Sequence, residues 1–114
     1  MDTQVGRSKH DVFVGQVGTE KLEQVFNIGY AFKYDGCDYY ILKLWPMPGA
    51  SYYLAKNRDG DRYTVFAKMV TDFNGVKFQN PIGYGLLPPD LKDYVEICLR
   101  LPKQRVFMSL YPAK

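Results

Sequence analysis

The sequence contains few of the residues on which enzymes and metal sites depend: one histidine and two cysteines among 114 residues. His10 lies in the polar stretch MDTQVGRSKH, which we expect to be flexible. Ser-His-Asp or Cys-His catalysis therefore lacks a well-placed base. Cys37 and Cys98 are 61 positions apart and, with a single histidine, do not supply the ligand spacing of tetrahedral zinc. We therefore predict a protein that is not an enzyme and has no metal site and no cofactor.

Long apolar runs are also absent, which argues against a membrane span of roughly 18 residues. The first ten residues lack the apolar segment of an export signal. Cys37 and Cys98 are then expected to be reduced thiols in a cytoplasmic protein, with a single disulfide as the alternative. The sequence predicts a cytoplasmic location and no membrane partner.

Phosphate and calcium motifs are missing as well. Gly83 and Gly85 form a lone G-x-G without the lysine and Ser/Thr of a phosphate-binding loop. The stretch from Asn57 to Asp61 lacks the alternating acids and final glutamate of a calcium loop, so it reads as a hairpin turn. The net charge of +3 permits a nucleic-acid partner without requiring one.

Aromatic residues are plentiful, at 16% of the chain with ten tyrosines and seven phenylalanines, and they favour sheet. Apolar and polar residues alternate with period two from residue 29 onward. The pairs Asp35-Gly36 and Asn74-Gly75, together with residues 58–61, predict tight turns between strands. Two short helices are expected, at 18–26 with Thr19 as N-cap and at 88–93. The predicted fold is mainly β, an antiparallel meander forming a small sandwich or barrel.

The chain contains an internal repeat. The triplet Ile28-Gly29-Tyr30 recurs as Ile82-Gly83-Tyr84 at an offset of 54, and Asp38-Tyr39 recurs as Asp93-Tyr94 at an offset of 55. We predict two related three-stranded units at 28–57 and 82–111, which bury their apolar faces against each other. Residues 11–114 are expected to form a single β-rich domain after a flexible segment at 1–10.

The alternation assigns side chains to two faces. The inward residues of the two units are predicted as Tyr40, Leu42, Leu44 and Val95, Ile97, Leu99. Tyr39, Ile41, Lys43 and Trp45 then point outward. Either the N-terminal segment covers this face through Val12, Val14, Leu22, Val25 and Phe26, or it is open as a binding surface.

Aromatic and basic residues interleave on the predicted outer faces. Such faces stack unpaired bases and neutralise phosphates, and they equally suit protein interfaces anchored by Tyr, Trp and Arg. The candidate partner-binding residues are Tyr39, Lys43, Trp45, Tyr53, Lys56, Arg62 and Lys68. A protein partner is favoured by the low net charge, and direct binding of single-stranded nucleic acid is the alternative.

Residues 29–66 contain Gly29-Tyr30-Ala31-Phe32-Lys33, then Asp35-Gly36-Cys37-Asp38-Tyr39, then Lys43-Leu44. This pattern resembles a family of small bacterial proteins from plasmids and mobile elements, catalogued as a domain of unknown function. The resemblance implies an accessory role for a mobile element in the bacterial cytoplasm and brings no catalytic residues. The functional hypothesis is a small inhibitor or accessory factor that acts on a protein of nucleic-acid handling, conjugative transfer or defence.

Overall fold

The computed structural model describes residues 6–19, 21–57, 62–89, 91–100 and 103–112. The described residues form eight strands: β1 (Arg7–Val17), β2 (Leu22–Tyr34), β3 (Tyr39–Leu44), β4 (Tyr52–Lys56), β5 (Arg62–Asp72), β6 (Gly75–Leu86), β7 (Tyr94–Arg100) and β8 (Lys103–Ser109). Each strand pairs antiparallel with the next along the chain, and β8 returns to pair with β1, so the sheet is a closed barrel. The predicted antiparallel meander is confirmed, and it closes as a barrel.

The two predicted Gly turns join the strands where the sequence indicated them. Gly36 and Gly75 have φ values of 83° and 112°, a region that glycine enters without steric cost. Residues 58–61, predicted as a third turn, lie outside the described residues. The connection from β4 to β5 is closed by the Asn57 amide, which donates to the Arg62 carbonyl at 2.8 Å.

The internal repeat is visible in the pairing registers. Gly29 pairs with Leu44 on β3, and Gly83 pairs with Leu99 on β7, at the offsets of 54 and 55 seen in the sequence. The β3–β4 and β7–β8 pairs agree at the same offsets, so Ile41 opposite Tyr53 corresponds to Glu96 opposite Phe107. The two halves therefore share one strand arrangement.

The repeating unit has four strands, which corrects the predicted three. The β1–β2 pairing shifts between Val12 and Phe13, and the β5–β6 pairing shifts between Val65 and Phe66, at corresponding places. Residues 28 and 82, both isoleucine, are the extra residues of these two bulges, and both pack against the core. The halves are thus β1–β4 and β5–β8. Strands β1 and β5 share Val12-Phe13 and Val65-Phe66 at an offset of 53, but most of their other residues differ, so the repeat is hard to detect there.

The repeated Ile-Gly-Tyr triplet has a structural explanation. A Cβ atom added at Gly29 would meet the backbone of Lys43, and one added at Gly83 would meet the backbone of Cys98. After each bulge the chain therefore crosses its neighbouring strand too closely for any side chain. The isoleucine fills the core beside the bulge, and the glycine permits the close approach.

Neither predicted helix forms among the described residues. Strand β2 begins at Leu22, after a turn in which the Gly18 amide donates to the Lys21 carbonyl at 2.8 Å. Bulges in the β1–β2 pairing give β2 its irregular spacing of apolar residues, which mimics a helical period. In the second segment, amide-to-carbonyl bonds from Leu91 to Pro88 and from Tyr94 to Leu91 make successive turns instead of a helix.

The boundary of the predicted flexible N-terminal segment is also corrected. Residues 1–5 lie outside the described residues, but β1 starts at Arg7. His10 is buried, with 4% of its surface exposed. The start of the chain is therefore part of the barrel from residue 7 onward.

Apolar side chains fill the barrel, and the predicted inward residues of β3 and β7 are confirmed there: Tyr40, Leu42, Leu44, Val95, Ile97 and Leu99. A second, smaller cluster joins Leu22, Leu91 and Phe107 with Phe13 and Tyr94. Phe107 lies between Val106 and Met108 on β8, which both belong to the main core. Alternation therefore places Phe107 outside the barrel, where this second cluster covers it.

Cys37 and Cys98 are free thiols. In the part of the chain that the structure describes, no helix is long and apolar enough to cross a membrane.

Candidate partner-binding surface

The structure separates the seven predicted site residues. Tyr39, Lys43 and Tyr53 lie on the outer face of β3 and β4, whereas Trp45 follows the end of β3 and is 57% exposed. Lys56 lies at one end of the barrel, beside Tyr40 and also beside Tyr39. Arg62 lies beside Tyr84, and Lys68 lies further along β5. The predicted residues therefore do not form one site, and those that lie together are Tyr39, Lys43, Tyr53 and Lys56.

Tyr39 and Tyr53 belong to a cluster of four rings drawn from four consecutive strands. The Tyr39 ring centroid lies 5.1 Å from that of Phe78 and 6.5 Å from that of Tyr53. Phe66 stacks on Phe78 with centroids 5.3 Å apart and planes 19° apart. Edge-to-face and offset pairs of this kind add to the stability gained from burial alone. The cluster is a preorganised aromatic surface on the outside of the barrel.

Phe78 reaches this cluster because β6 is irregular nearby. Asn80 has a φ of 60°, and among the described residues it is the non-glycine that adopts this left-handed conformation. Asparagine tolerates this region better than most residues. Asn80 and Ala67 lie opposite each other without pairing, between the Phe66–Pro81 and Lys68–Gln79 pairs. Strict alternation does not place Phe78 beside Phe66, so the sequence pattern does not predict its position.

A second row of rings runs along β2. Tyr30 and Phe32 have centroids 6.1 Å apart, and Phe32 and Tyr34 meet edge to face at 5.6 Å. The Arg7 guanidinium carbon lies 5.1 Å from the Phe32 centroid, and Lys9 Nζ lies 5.2 Å from that of Tyr30. Each is within cation–π range. Both cations belong to β1, in the segment that was predicted from the sequence to be flexible.

The two aromatic groups form one continuous surface, joined through β3. Ile41 pairs with Phe32 on one side and with Tyr53 on the other, and Lys43 pairs with Tyr30. Paired residues of an antiparallel sheet lie on the same face. We call this surface the aromatic wall; its rings are Tyr30, Phe32, Tyr34, Tyr39, Tyr53, Phe66 and Phe78.

The N-terminal segment does not cover the aromatic wall. Of the residues considered for that role, Val12 lies inside the barrel and Leu22 lies in the second cluster. Val25 and Phe26 are exposed, at 40% and 71%. The sequence left two alternatives for this face, covered by the N-terminal segment or open. Among the described residues, the structure shows that the face is open.

The equivalent outer positions in the other half of the barrel are covered. Tyr39, Tyr53 and Phe66 correspond in register to Tyr94, Phe107 and Phe13. These last three pack with Leu91 and Leu22 in the second cluster, and Phe107 is fully buried. Leu91 belongs to the β6–β7 connection, and the corresponding β2–β3 connection is the Asp35-Gly36 turn without a leucine. The outer position at Phe107 is thus covered by side chains of both halves, whereas the equivalent position at Tyr53 is left open among the described residues.

The polar groups of the wall are mainly cationic. Arg7, Lys9 and Lys43 border the rings of β2, and Asp11 lies on the same strand as Arg7 and Lys9. Burial raises the pKa of Tyr39, and a hydrogen bond with Cys37 raises it further. The phenol is therefore protonated at neutral pH and can donate a hydrogen bond to a partner. The wall offers rings, cations and phenolic hydroxyls.

The structure shows no grouping typical of catalysis or metal binding at the wall. Among the described residues, no group of three or more His, Cys, Asp or Glu side chains could hold a metal ion. His10 lies inside the barrel, where its Nδ1–H donates to the Ser109 carbonyl at 2.9 Å and Ser8 Oγ lies 2.8 Å from Nε2. These contacts link β1 to β8 and give His10 a structural role.

Comparison of the chain with protein-family models, with curated proteins and with solved structures gives no match.

Proposed function

We propose that this chain is a non-enzymatic binding protein whose aromatic wall docks a protein partner. The observation that carries the proposal is the contrast between the two halves. Phe107 is covered by Leu91 and Leu22, whereas Tyr53 at the equivalent position has no such cover among the described residues. Partly exposed clusters of rings are typical of interaction sites, where Tyr, Phe and Arg act as anchors.

The partner that fits this wall has apolar side chains flanked by acidic ones. The apolar groups would pack on the four-ring cluster, and the acidic ones would face Arg7, Lys9 and Lys43. The resemblance of residues 29–66 to mobile-element proteins suggests which partner: a cytoplasmic protein of nucleic-acid handling, conjugative transfer or defence. The chain would be its inhibitor or accessory factor.

A wall variant tests this proposal. Tyr39→Ala combined with Tyr53→Ala removes two anchors from the outside of the barrel while leaving the inner core intact. A partner recovered from bacterial lysate with the wild-type chain, then purified, should bind this variant at least about tenfold more weakly, since aromatic hot spots contribute about 2 kcal/mol or more. Isothermal titration measures the affinity, and circular dichroism verifies the fold.

Tyr111→Ala is the matched control, because Tyr111 is 66% exposed and does not belong to the wall. It should bind the partner as the wild type does. A folded double variant with unchanged affinity would show that the partner does not use the wall, and the proposal would be wrong.

The second candidate function is direct binding of single-stranded nucleic acid. It is favoured by Arg7 and Lys9, which lie on the rings of Phe32 and Tyr30 in the mixture of stacking faces and cations that such proteins use. Trp45, the single tryptophan, is exposed just beyond β3 and reports binding there. An oligonucleotide should quench its fluorescence with an affinity that falls as salt rises. No response at low salt would remove this candidate.

A further inference from the structure

A polar cavity of about 410 Å³ opens at one end of the barrel, next to the aromatic wall. We call it the barrel mouth, and it is lined by Lys33, Asp38, Tyr40, Lys56, Asn57 and Tyr63. These residues come from four consecutive strands, β2 to β5, and from the segments that adjoin them. Mouths of small barrels are common ligand sites, and eight strands leave room for one small molecule.

The fold does not require the two lysines and Tyr40 that line the mouth. By the repeat offsets, Lys33, Tyr40 and Lys56 correspond to Leu87, Val95 and Leu110 in the second half. Val95 is fully buried, and both leucines pack against the barrel core. At these three positions the other half is apolar, whereas Asp38, Asn57 and Tyr63 correspond to the polar residues Asp93, Tyr111 and His10. Packing therefore does not explain why the first half has two lysines and a tyrosine at these three positions.

The mouth contains two lysines and one carboxylate, Asp38, and within the described residues neither lysine forms an ion pair. The ion pairs among those residues are Lys77–Asp72 and Arg105–Glu96, and neither involves Lys33 or Lys56. Lys33 is half-buried and Lys56 is exposed. A bound anion would pair with both ammonium groups at the opening of the cavity.

Neutral hydrogen-bonding groups complete the mouth. Thr64 Oγ1 donates to Asn57 Oδ1 at 2.8 Å, which leaves the Asn57 amide nitrogen as the donor for another partner. The half-buried Tyr40 phenol can also donate, because burial raises its pKa. Asp38 is the carboxylate in this set, and it would accept a hydroxyl group from a ligand. The set matches a dianion that also carries hydroxyl groups.

We propose that the barrel mouth binds a small phosphate monoester of a polyol, with the phosphate between Lys33 and Lys56 and a hydroxyl group on Asp38. A phosphate monoester carries close to two negative charges at neutral pH, which equals the charge of the two ammonium groups. This site adjoins the aromatic wall through Asp38 and Lys56, and ligand binding there does not depend on a partner docked on the wall.

Titration with glycerol 1-phosphate, inorganic phosphate and glycerol tests the proposal by calorimetry and by NMR of His10. Glycerol 1-phosphate should bind most tightly, inorganic phosphate more weakly, and glycerol not at all. Lys33→Gln and Lys56→Gln should each weaken the binding of glycerol 1-phosphate by about tenfold, because each removes one charge-assisted hydrogen bond. Lys92→Gln, at an exposed lysine on the β6–β7 connection, should bind as the wild type does.

The single histidine provides an internal reporter. Burial lowers the pKa of His10, the hydrogen bond to Ser109 raises it, and the charge of Lys33 lowers it further. A phosphate dianion on Lys33 should therefore raise the pKa of His10, and Lys33→Gln should abolish that rise. Equal binding by wild type and by both lysine variants, or no binding of any phosphate, would overturn the proposal. If inorganic phosphate bound as tightly as the ester, Asp38 would not contribute to ligand binding.

Discussion

His10 and Tyr63 occupy equivalent positions in the two halves, since His10 pairs with Ala31 and Tyr63 pairs with Gly85. Both side chains are buried, with 4% and 8% of their surface exposed. His10 links β1 to the carbonyl of Ser109, at the end of β8, where the barrel closes. It also meets the Tyr40 ring edge to face at 5.2 Å. A buried histidine at the closing strands makes the stability of the barrel depend on pH.

We expect the barrel to lose stability as the pH falls below about 6.5, the ordinary pKa of histidine. The pKa of His10 is lower in the folded chain, mainly because of burial, so the unfolded chain binds the proton first. Stability is then fully present above the unfolded pKa and declines until the pH reaches the folded pKa. Thermal unfolding followed by circular dichroism between about pH 7.5 and pH 5.5 measures this decline.

His10→Gln is the control, because its amide keeps hydrogen-bonding capacity without titrating in this range. Its melting temperature should be nearly constant over the same pH interval. A wild-type melting temperature that does not fall, or a variant that falls equally, would show that His10 is not the titrating group.

Bulges are the feature of individual strands on which the barrel most depends. At Ile28 and Ile82 the extra residue fills the core, and the glycine that follows lets the chain cross its neighbour closely. The Trp45 amide donates to the Ile28 carbonyl at 2.9 Å, which fixes the end of β3 to this bulge. The repeated triplet is therefore required by local geometry in both halves.

Gly83→Ala should destabilise the barrel by about 1–3 kcal/mol, because the new methyl group would contact the rigid backbone of Cys98 and Leu99. Gly29→Ala should have a similar effect through Lys43 and Leu44. Gly49→Ala is the matched control, since an added Cβ there meets nothing within 4 Å. Urea unfolding measures the difference in the free energy of unfolding between the wild type and each of the three variants. If Gly83→Ala and Gly49→Ala were equally stable, the close approach would not matter.

The local rules of the strands were predictable from the sequence, and their irregularities were not. Period-two alternation and the two Gly turns identified β3 and its neighbours correctly. The bulges in β2 broke that period, so Leu22, Val25 and Phe26 resembled a helix. The position of Phe78 in the aromatic wall depends on a single backbone conformation at Asn80, which a pattern of side chains does not specify.

At the scale of the whole molecule, closure was the hardest feature to predict. The pairing of β1 with β8 joins Val12 to Met108, residues far apart in the sequence, and no local pattern marks it. The repeat indicated two related halves but missed β1 and β5, where Val12-Phe13 and Val65-Phe66 match at an offset of 53 and most other residues differ. The outer surface has also diverged: Leu91 and Leu22 cover Phe107, whereas the equivalent Tyr53 lies on the open aromatic wall.

Equilibrium urea unfolding of Phe107→Ala and Tyr53→Ala tests most directly whether one outer position serves folding in one half and recognition in the other. Phe107→Ala should lower the free energy of unfolding by about 3–5 kcal/mol, because the Phe107 ring is fully buried. Tyr53→Ala should lower the free energy of unfolding by about 1 kcal/mol, because the partly exposed Tyr53 ring contacts only the rings of Tyr39 and Phe78 among the described aromatic pairs. Equal losses for the two variants would mean that Tyr53 belongs to the folding core and would contradict the account.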